Sequence, residues 1–483
     1  MRKKCATIGS ISALMRHSEK VLDGADRLLW QLSGEMMRKE TLWKGILFAA
    51  AVVVFGLLCA GILLFINEDS GYCAAALLLT PVYALGAALL LYGDRRQEGK
   101  LDLFWFCACL CMLALTLFAR IALFPSVSDD FAEYLTPWLT EIRAMPGTTS
   151  LAADIGNYNM PYFYLLFAIG KLLSPAWDLY AIKGISILFD CVLAYFVMLL
   201  VQRKYPRKLI GAAAFFAALL VPSILVNGAM WGQCDSIFTA FALGGLYYGL
   251  EKKSRVSWAF FAIALSFKLQ SVFLLPMLLV LLMAKRIRLR DAWAFFATFL
   301  ALLLPAMLAG KSFLNCVTIY WRQANTYSQL SMLAPSVFAW LPEGTRSNIP
   351  VTAAGIFAAG SVTLGLLLYL FRRKERLDDE SMIDAAYLFA LLIPFLLPLM
   401  HERYFYAADA MAVVYLFCRP RRWYIPTLTC VASFLCHTAY LFDATTVPMW
   451  LLTFGMLSAV CLLTQQLIVR LEAKPATLLD CRE

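Results

Sequence analysis

The chain has 483 residues, of which 61% are hydrophobic and 15% charged, with a mean hydropathy of +0.72; soluble domains carry about 25% charged residues, so a soluble globular class is excluded. The net charge of +10 does not indicate nucleic acid, because Lys and Arg collect in short links between apolar runs, the pattern of a membrane protein that keeps its basic loops on one side. The 14 cysteines include no CxxC pair and read as small buried side chains, so neither a disulfide framework nor a metal site is indicated.

The expected fold is an all-α integral membrane protein, a helical bundle of about 14 membrane segments with interfacial helices in its first large outer loop. Residues 1–42 carry scattered Arg and Lys and read as a cytoplasmic, basic, membrane-surface segment without a signal peptide. Residues 43–100 form an additional N-terminal transmembrane hairpin, residues 101–470 the main bundle, and 471–483 a cytoplasmic tail. Within this scheme the spans are 43–66, 72–92 and 101–124, which bring the chain out before Ser128. The run 159–173 is short and contains Lys171, so it is expected as an interfacial helix. Span 180–201 then returns to the basic link Arg203 to Lys208, 209–227 exits, and 235–250 returns to Glu251 to Arg255.

Val256 to Met283 has basic flanks on both sides and is interrupted by Phe267-Lys268-Leu269-Gln270-Ser271. A single span would put one basic cluster on the wrong side, so a hairpin of two short helices is expected, its polar tip in a cavity. A limb of about 11 residues rises only ~17 Å, roughly half of a ~30 Å hydrocarbon core, and backbone groups left open there must face protein or water. Span 291–309 leads to a long polar loop at about 310–350. Spans 351–371, 382–400, 403–418, 424–443 and 447–470 complete the bundle.

This parity puts Asp129 and Asp130, Asn157 and Asn159, Gln233 and Asp235, and His401, Glu402 and Arg403 on the outer face, with Lys268 pointing toward it from within. Each has a plain alternative. Asp129 and Asp130 fit an N-cap, Asp235 can cap the span it begins, Lys268 can snorkel, and 401–403 can be a tight turn. A membrane-embedded Lys and a turn holding both charge signs are nevertheless costly unless paired or used. Arg120, near the end of its span, reads as a snorkelling residue. No GxGxxG or GxxxxGK[ST] loop and no Cys/His metal spacing occurs, so no cofactor is expected.

Five ordered stretches carry a resemblance: Asp130-Phe131 with Tyr134 to Trp138, Asn157 to Tyr162, Trp231-Gly232-Gln233-Cys234-Asp235-Ser236, Phe267 to Ser271, and His401-Glu402-Arg403-Tyr404. Over roughly residues 101–420 the chain resembles the type C glycosyltransferases, in particular bacterial relatives of the mannosyltransferase that adds the second mannose to GPI anchors. Asn157 stands where many relatives carry Asp, and the spans before residue 100 lie outside the shared core.

The resemblance implies transfer of a sugar, mannose-like, from a polyprenyl-phosphate donor to a hydroxyl of a lipid or glycan acceptor, with inversion and without a metal. Asp130 is then the general base with Asp129 in reserve. Lys268, His401 and Arg403 hold the donor phosphate, and Asn157, Asn159, Gln233, Asp235, Gln270 and Glu402 position substrate. The implied setting is a plasma membrane, with both termini cytoplasmic and the site on the extracytoplasmic face. The partners are the lipid-linked donor, the acceptor and membrane lipids, not nucleic acid. A transporter or flippase of lipid-linked saccharides is the alternative, against which stands the single broken hairpin where transporters tend to repeat such breaks.

Overall fold

A computed structural model describes residues 40–59, 70–92, 102–324, 328–342 and 344–472. The surface segment expected at the N-terminus and the C-terminal tail lie almost wholly outside the described residues. The remainder is overwhelmingly helical, as the composition requires. Among the described residues six helical units are long and apolar enough to cross a membrane: α1 (Glu40–Cys59), α3 (Leu103–Ile121), Pro175–Gln202, Leu289–Leu308, α14 (Ile349–Arg372) and α18 (Met449–Glu472); α2 (Ser70–Tyr92) lies between α1 and α3. A bent pair raises the number to seven. The protein is therefore an all-α membrane protein; of the about 14 membrane segments expected, six or seven have the length and hydropathy of a full crossing among the described residues.

The shortfall has a physical cause. α9 (Asp235–Leu250) has 16 residues, a rise of ~24 Å against a ~30 Å core. α15 (Asp379–Leu396) and α16 (Tyr406–Cys418) carry Asp384 and Asp409 and are buried along almost their whole length. Interior helices face protein rather than lipid and need no uniformly apolar surface.

The segment expected to exit at 209–227 is bent. Pro222 has no amide hydrogen to continue α7 (Lys208–Leu220), and the path bends by 58° into Pro222–Trp231. That unit comprises α8 (Pro222–Val226) and a π-turn, Asn227–Trp231, which ends on Gly232 at φ +77°.

The broken hairpin is present as expected. α10 (Ser254–Phe267), a 3-10 turn (Leu269–Phe273) and α11 (Pro276–Met283) bring the chain back to its start. There the Arg288 amide donates to Ser254 Oγ at 3.0 Å, and the Trp258 indole donates to the Arg288 carbonyl at 3.1 Å.

The basic links meet at one pole. Arg203, after α6 (Asp178–Gln202), bonds Glu251 and Asp379, and Arg286 reaches Asp379 at 2.5 Å. Lys204 meets Glu380 at 3.2 Å, Arg419 meets Asp384 at 3.0 Å, and Arg470 meets Asp378 at 2.6 Å. α6, α9 and α16 end there, while α10 and α15 begin there. Their other ends, at Asp235, Lys268, Arg403 and Tyr406, therefore gather at the opposite pole.

The stretch after α3 and the long loop before α14 cover that pole. α4 (Thr136–Ala144) packs on α5 (Met160–Leu172), whose Met160, Tyr162, Phe163, Leu166 and Ile169 are buried. α5 also contacts α10 and α12 (Trp293–Leu308), so it is a packed element rather than a helix lying free at an interface. The long polar loop expected at about 310–350 contains the amphipathic α13 (Phe313–Ala324) and β1 (Ser331–Met332). β1 pairs in parallel with β2 (Met400–His401).

Candidate active site

Ser128, not Asp130, caps the turn that follows α3. Its Oγ accepts from the Phe131 amide at 3.3 Å and donates to the Trp231 carbonyl at 2.9 Å. Asp130 makes no capping bond, which leaves its carboxylate to face inward. Oδ2 accepts from the Trp231 indole at 3.0 Å and from the Gln233 amide, and Oδ1 accepts from the Tyr440 hydroxyl at 3.2 Å. Arg403 Nη1 lies 3.7 Å from Oδ2. Gly232 makes this possible: at φ +77°, a conformation costly for other residues, it turns the chain so that Trp231 and Gln233 both reach one carboxylate.

The other charges are paired just behind. α10 ends where Lys268 takes an extended conformation, and its Nζ donates to Asp235 Oδ1 at 2.5 Å. Asn227 donates to Asp235 Oδ2 at 3.0 Å. Lys268 also lies 5.9 Å from the centre of the Tyr158 ring. Arg403 donates to Glu402 Oε1 at 3.0 Å and sits 5.0 Å from the Trp231 ring centre, while Tyr440 from α17 (Tyr424–Leu441) stacks on that indole at 4.7 Å.

Burial alone would raise the Glu402 carboxyl, but the imidazole of His401, 3.6 Å away, and the guanidinium of Arg403 hold it down at about 2. Burial lowers the His401 imidazole, against the Glu402 carboxylate that supports its charge. Arg403 stays firmly protonated because Asp130 and Glu402 outweigh its burial.

These groups border a cavity of about 250 Å³, near the small end of ligand pockets. Six of the expected residues line it: Asp130, Asn157, Gln233, Lys268, Gln270 and Arg403. The others do not. Asp129 is exposed on the far side of the turn, so it is no substitute for its neighbour. Asn159 is buried and donates to the Leu265 carbonyl at 3.2 Å, tying α5 to α10. Asp235 bonds Lys268 from behind, and Glu402, with His401 beside it, bonds Arg403.

Other residues came only from the structure. Tyr440 is 310 residues from Asp130 in sequence, and nothing local marks it. Trp231 lay inside a quoted stretch without a role, although an indole donates and does not accept, which suits it to holding a carboxylate. Tyr134, Trp138, Tyr158, Tyr404 and Gln323 also line the cavity. Arg120 does not snorkel: it is fully buried, with Nη2 at 3.2 Å from Asp190 and 2.9 Å from the Leu219 carbonyl. Tyr406 donates to the other Asp190 oxygen at 3.3 Å.

One carboxylate and two cations thus line a cavity at one pole of an apolar helical bundle, the fold of a membrane protein. Residues 157–399 match the model of glycosyltransferase family 87. That is half of the chain, which therefore belongs to this family and is a membrane glycosyltransferase. Comparison with curated proteins and with solved structures gives no match. Gln233, Asp235 and Lys268 fall within the matched stretch, whereas Asp130, Arg403 and Tyr440 fall outside it.

Proposed function

We propose that the protein transfers a sugar, mannose-like as in the enzymes its motifs resemble, from a polyprenyl phosphate to an acceptor hydroxyl on the extracytoplasmic face. The observation that carries this reading is the sharing of one cavity by Asp130, Lys268 and Arg403. The acceptor hydroxyl gives its proton to Asp130 as its oxygen attacks the anomeric carbon. The bond from that carbon to the phosphate oxygen breaks, and the departing lipid phosphate keeps the electron pair. Oδ1 of Asp130 accepts one hydrogen bond among the described residues, so a second lone pair is open to the acceptor. Lys268 and Arg403 hold the charge that develops on the phosphate.

The cavity's composition supports a lipid-linked donor. Val272, Ile356 and Leu397 form an apolar side, with Val272 39% and Ile356 53% exposed, as an isoprenoid chain entering from the bilayer requires. The extracytoplasmic assignment is supported by the pole opposite the site, where the basic links gather. Cysteine substituted for the exposed Val127 should react with an impermeant reagent outside intact cells, and one at Arg290 should not; the reverse pattern would invert the assignment. Activity is tested by incubating purified protein with radiolabelled polyprenyl-phosphate sugars and cell-envelope lipids. A labelled product is expected, and its absence with every donor would overturn the proposal.

A further inference from the structure

The apolar wall and the cations account for one side of the cavity, and a different chemistry lines the other. An aromatic ladder runs outward from Lys268: Tyr158 lies 5.7 Å from Trp138, edge to face, and Trp138 lies 6.1 Å from Tyr134, which is 42% exposed at the mouth. Trp138 is seated in a place made for it. Gly156, at φ +67°, faces the indole so closely that a Cβ there would lie 2.7 Å from the ring. Two amide groups complete the wall. Gln323 on α13 donates to the Asn157 carbonyl at 2.6 Å. Its Oε1, and that of Gln270, are buried with no hydrogen-bond partner among the described residues.

We infer that the mouth of this cavity is a carbohydrate subsite, and that the acceptor is therefore a saccharide, bound with one pyranose ring on Trp138 and Tyr134. This rests on the glycosyltransferase reading and adds the acceptor's class to it. A pyranose presents a face of C–H groups that needs an apolar platform, and a rim of hydroxyls that needs acceptors. The aromatic rings supply the first, and the Gln270 and Gln323 oxygens supply the second. Among the described lining residues only Asp130, Lys268 and Arg403 are charged, so the ladder side suits a neutral polyhydroxylated ring. The order of groups separates acceptor from donor. The lipid chain occupies the side of Val272 and Ile356 and its phosphate the cations, which leaves the wet, aromatic mouth for the acceptor, with Asp130 between the two.

The test uses the full chain in lipid nanodiscs and soluble probes without lipid: mannobiose, cellobiose and chitobiose, with glycerol as a ringless control. Binding is read by saturation-transfer NMR and titration. At least one disaccharide should bind and glycerol should not. Trp138→Ala should weaken that binding about tenfold, and Trp138→Phe should recover most of it. Gln270→Met, nearly the same size, should weaken it about threefold or more. Binding of a polyprenyl-phosphate sugar should persist in all three variants. No disaccharide binding to the wild type, or binding unchanged by both Trp138→Ala and Gln270→Met, overturns the inference. Failure of the donor reading would look different, as disaccharide binding without polyprenyl-phosphate binding.

Discussion

Lys268 is the residue at which stability and donor binding are most entangled, and a double-mutant cycle with Asp235 separates them. The two side chains are 5% and 1% exposed, with a 2.5 Å bond between them. Lys268→Gln alone leaves the Asp235 carboxylate buried with neutral donors, such as Asn227 at 3.0 Å, and without the ammonium that balances its charge. Breaking a buried pair in this way costs about 3–5 kcal/mol, because the remaining charge is uncompensated. Lys268→Gln with Asp235→Asn replaces the pair by two amides that can bond each other, and it should restore most of that loss. Donor binding should not follow stability. A charge-assisted bond to phosphate contributes about 1.5–3 kcal/mol, so the double variant should bind polyprenyl-phosphate sugar at least tenfold more weakly than the wild type. Unfolding in mixed micelles supplies the first quantity, and titration of labelled donor the second. A double variant that recovers both would make Lys268 a purely structural partner of Asp235. A stable single variant would refute the burial argument itself.

Asp130→Asn keeps the shape and lets the Trp231 and Gln233 donors meet the amide oxygen, so the protein should fold while turnover falls on the order of 10²- to 10⁴-fold; Asp129→Asn, on the exposed side, should stay near wild type in the same transfer assay. Tyr440→Phe removes one hydrogen bond to Asp130 and retains the stack on Trp231, so transfer should slow with little change in donor affinity; unchanged transfer would limit Tyr440 to packing. Acid stability should depend on Glu402. Its carboxyl is held at about 2 in the folded protein, below its ordinary value of about 4.3, so its contribution is fully present above that ordinary value. It is lost as pH falls toward 2, and amounts to about 3 kcal/mol at neutral pH. Glu402→Gln should flatten that limb of an unfolding profile measured between pH 6 and pH 3, and a profile matching the wild type would show that Glu402 carries no such linkage.

Much of the architecture was legible in the chain because it follows from local physics. Long apolar runs and one-sided basic links require a membrane bundle, and the two basic flanks of Val256 to Met283 require the re-entrant hairpin that α10 and α11 form. Counting crossings by charge brought Asp130, Gln233, Lys268 and Arg403 to one pole, where they line one cavity. What remained hidden depends on how each helix is rotated and how deep it sits. Hydropathy is nearly uniform around an apolar helix, so periodicity does not reveal that Arg120 turns inward to Asp190, or that α15 and α16 are interior elements too polar to read as lipid-facing spans. Neighbours in one motif also divide by a rotation of about 100° per residue. Only the fold decided that Asp130 enters the cavity and Asp129 does not, or that Arg403 stands in front of Glu402. The partnership of Tyr440 with Asp130 is the extreme case: it joins the turn after α3 to α17, and no local pattern connects residues that meet only after the whole bundle has closed.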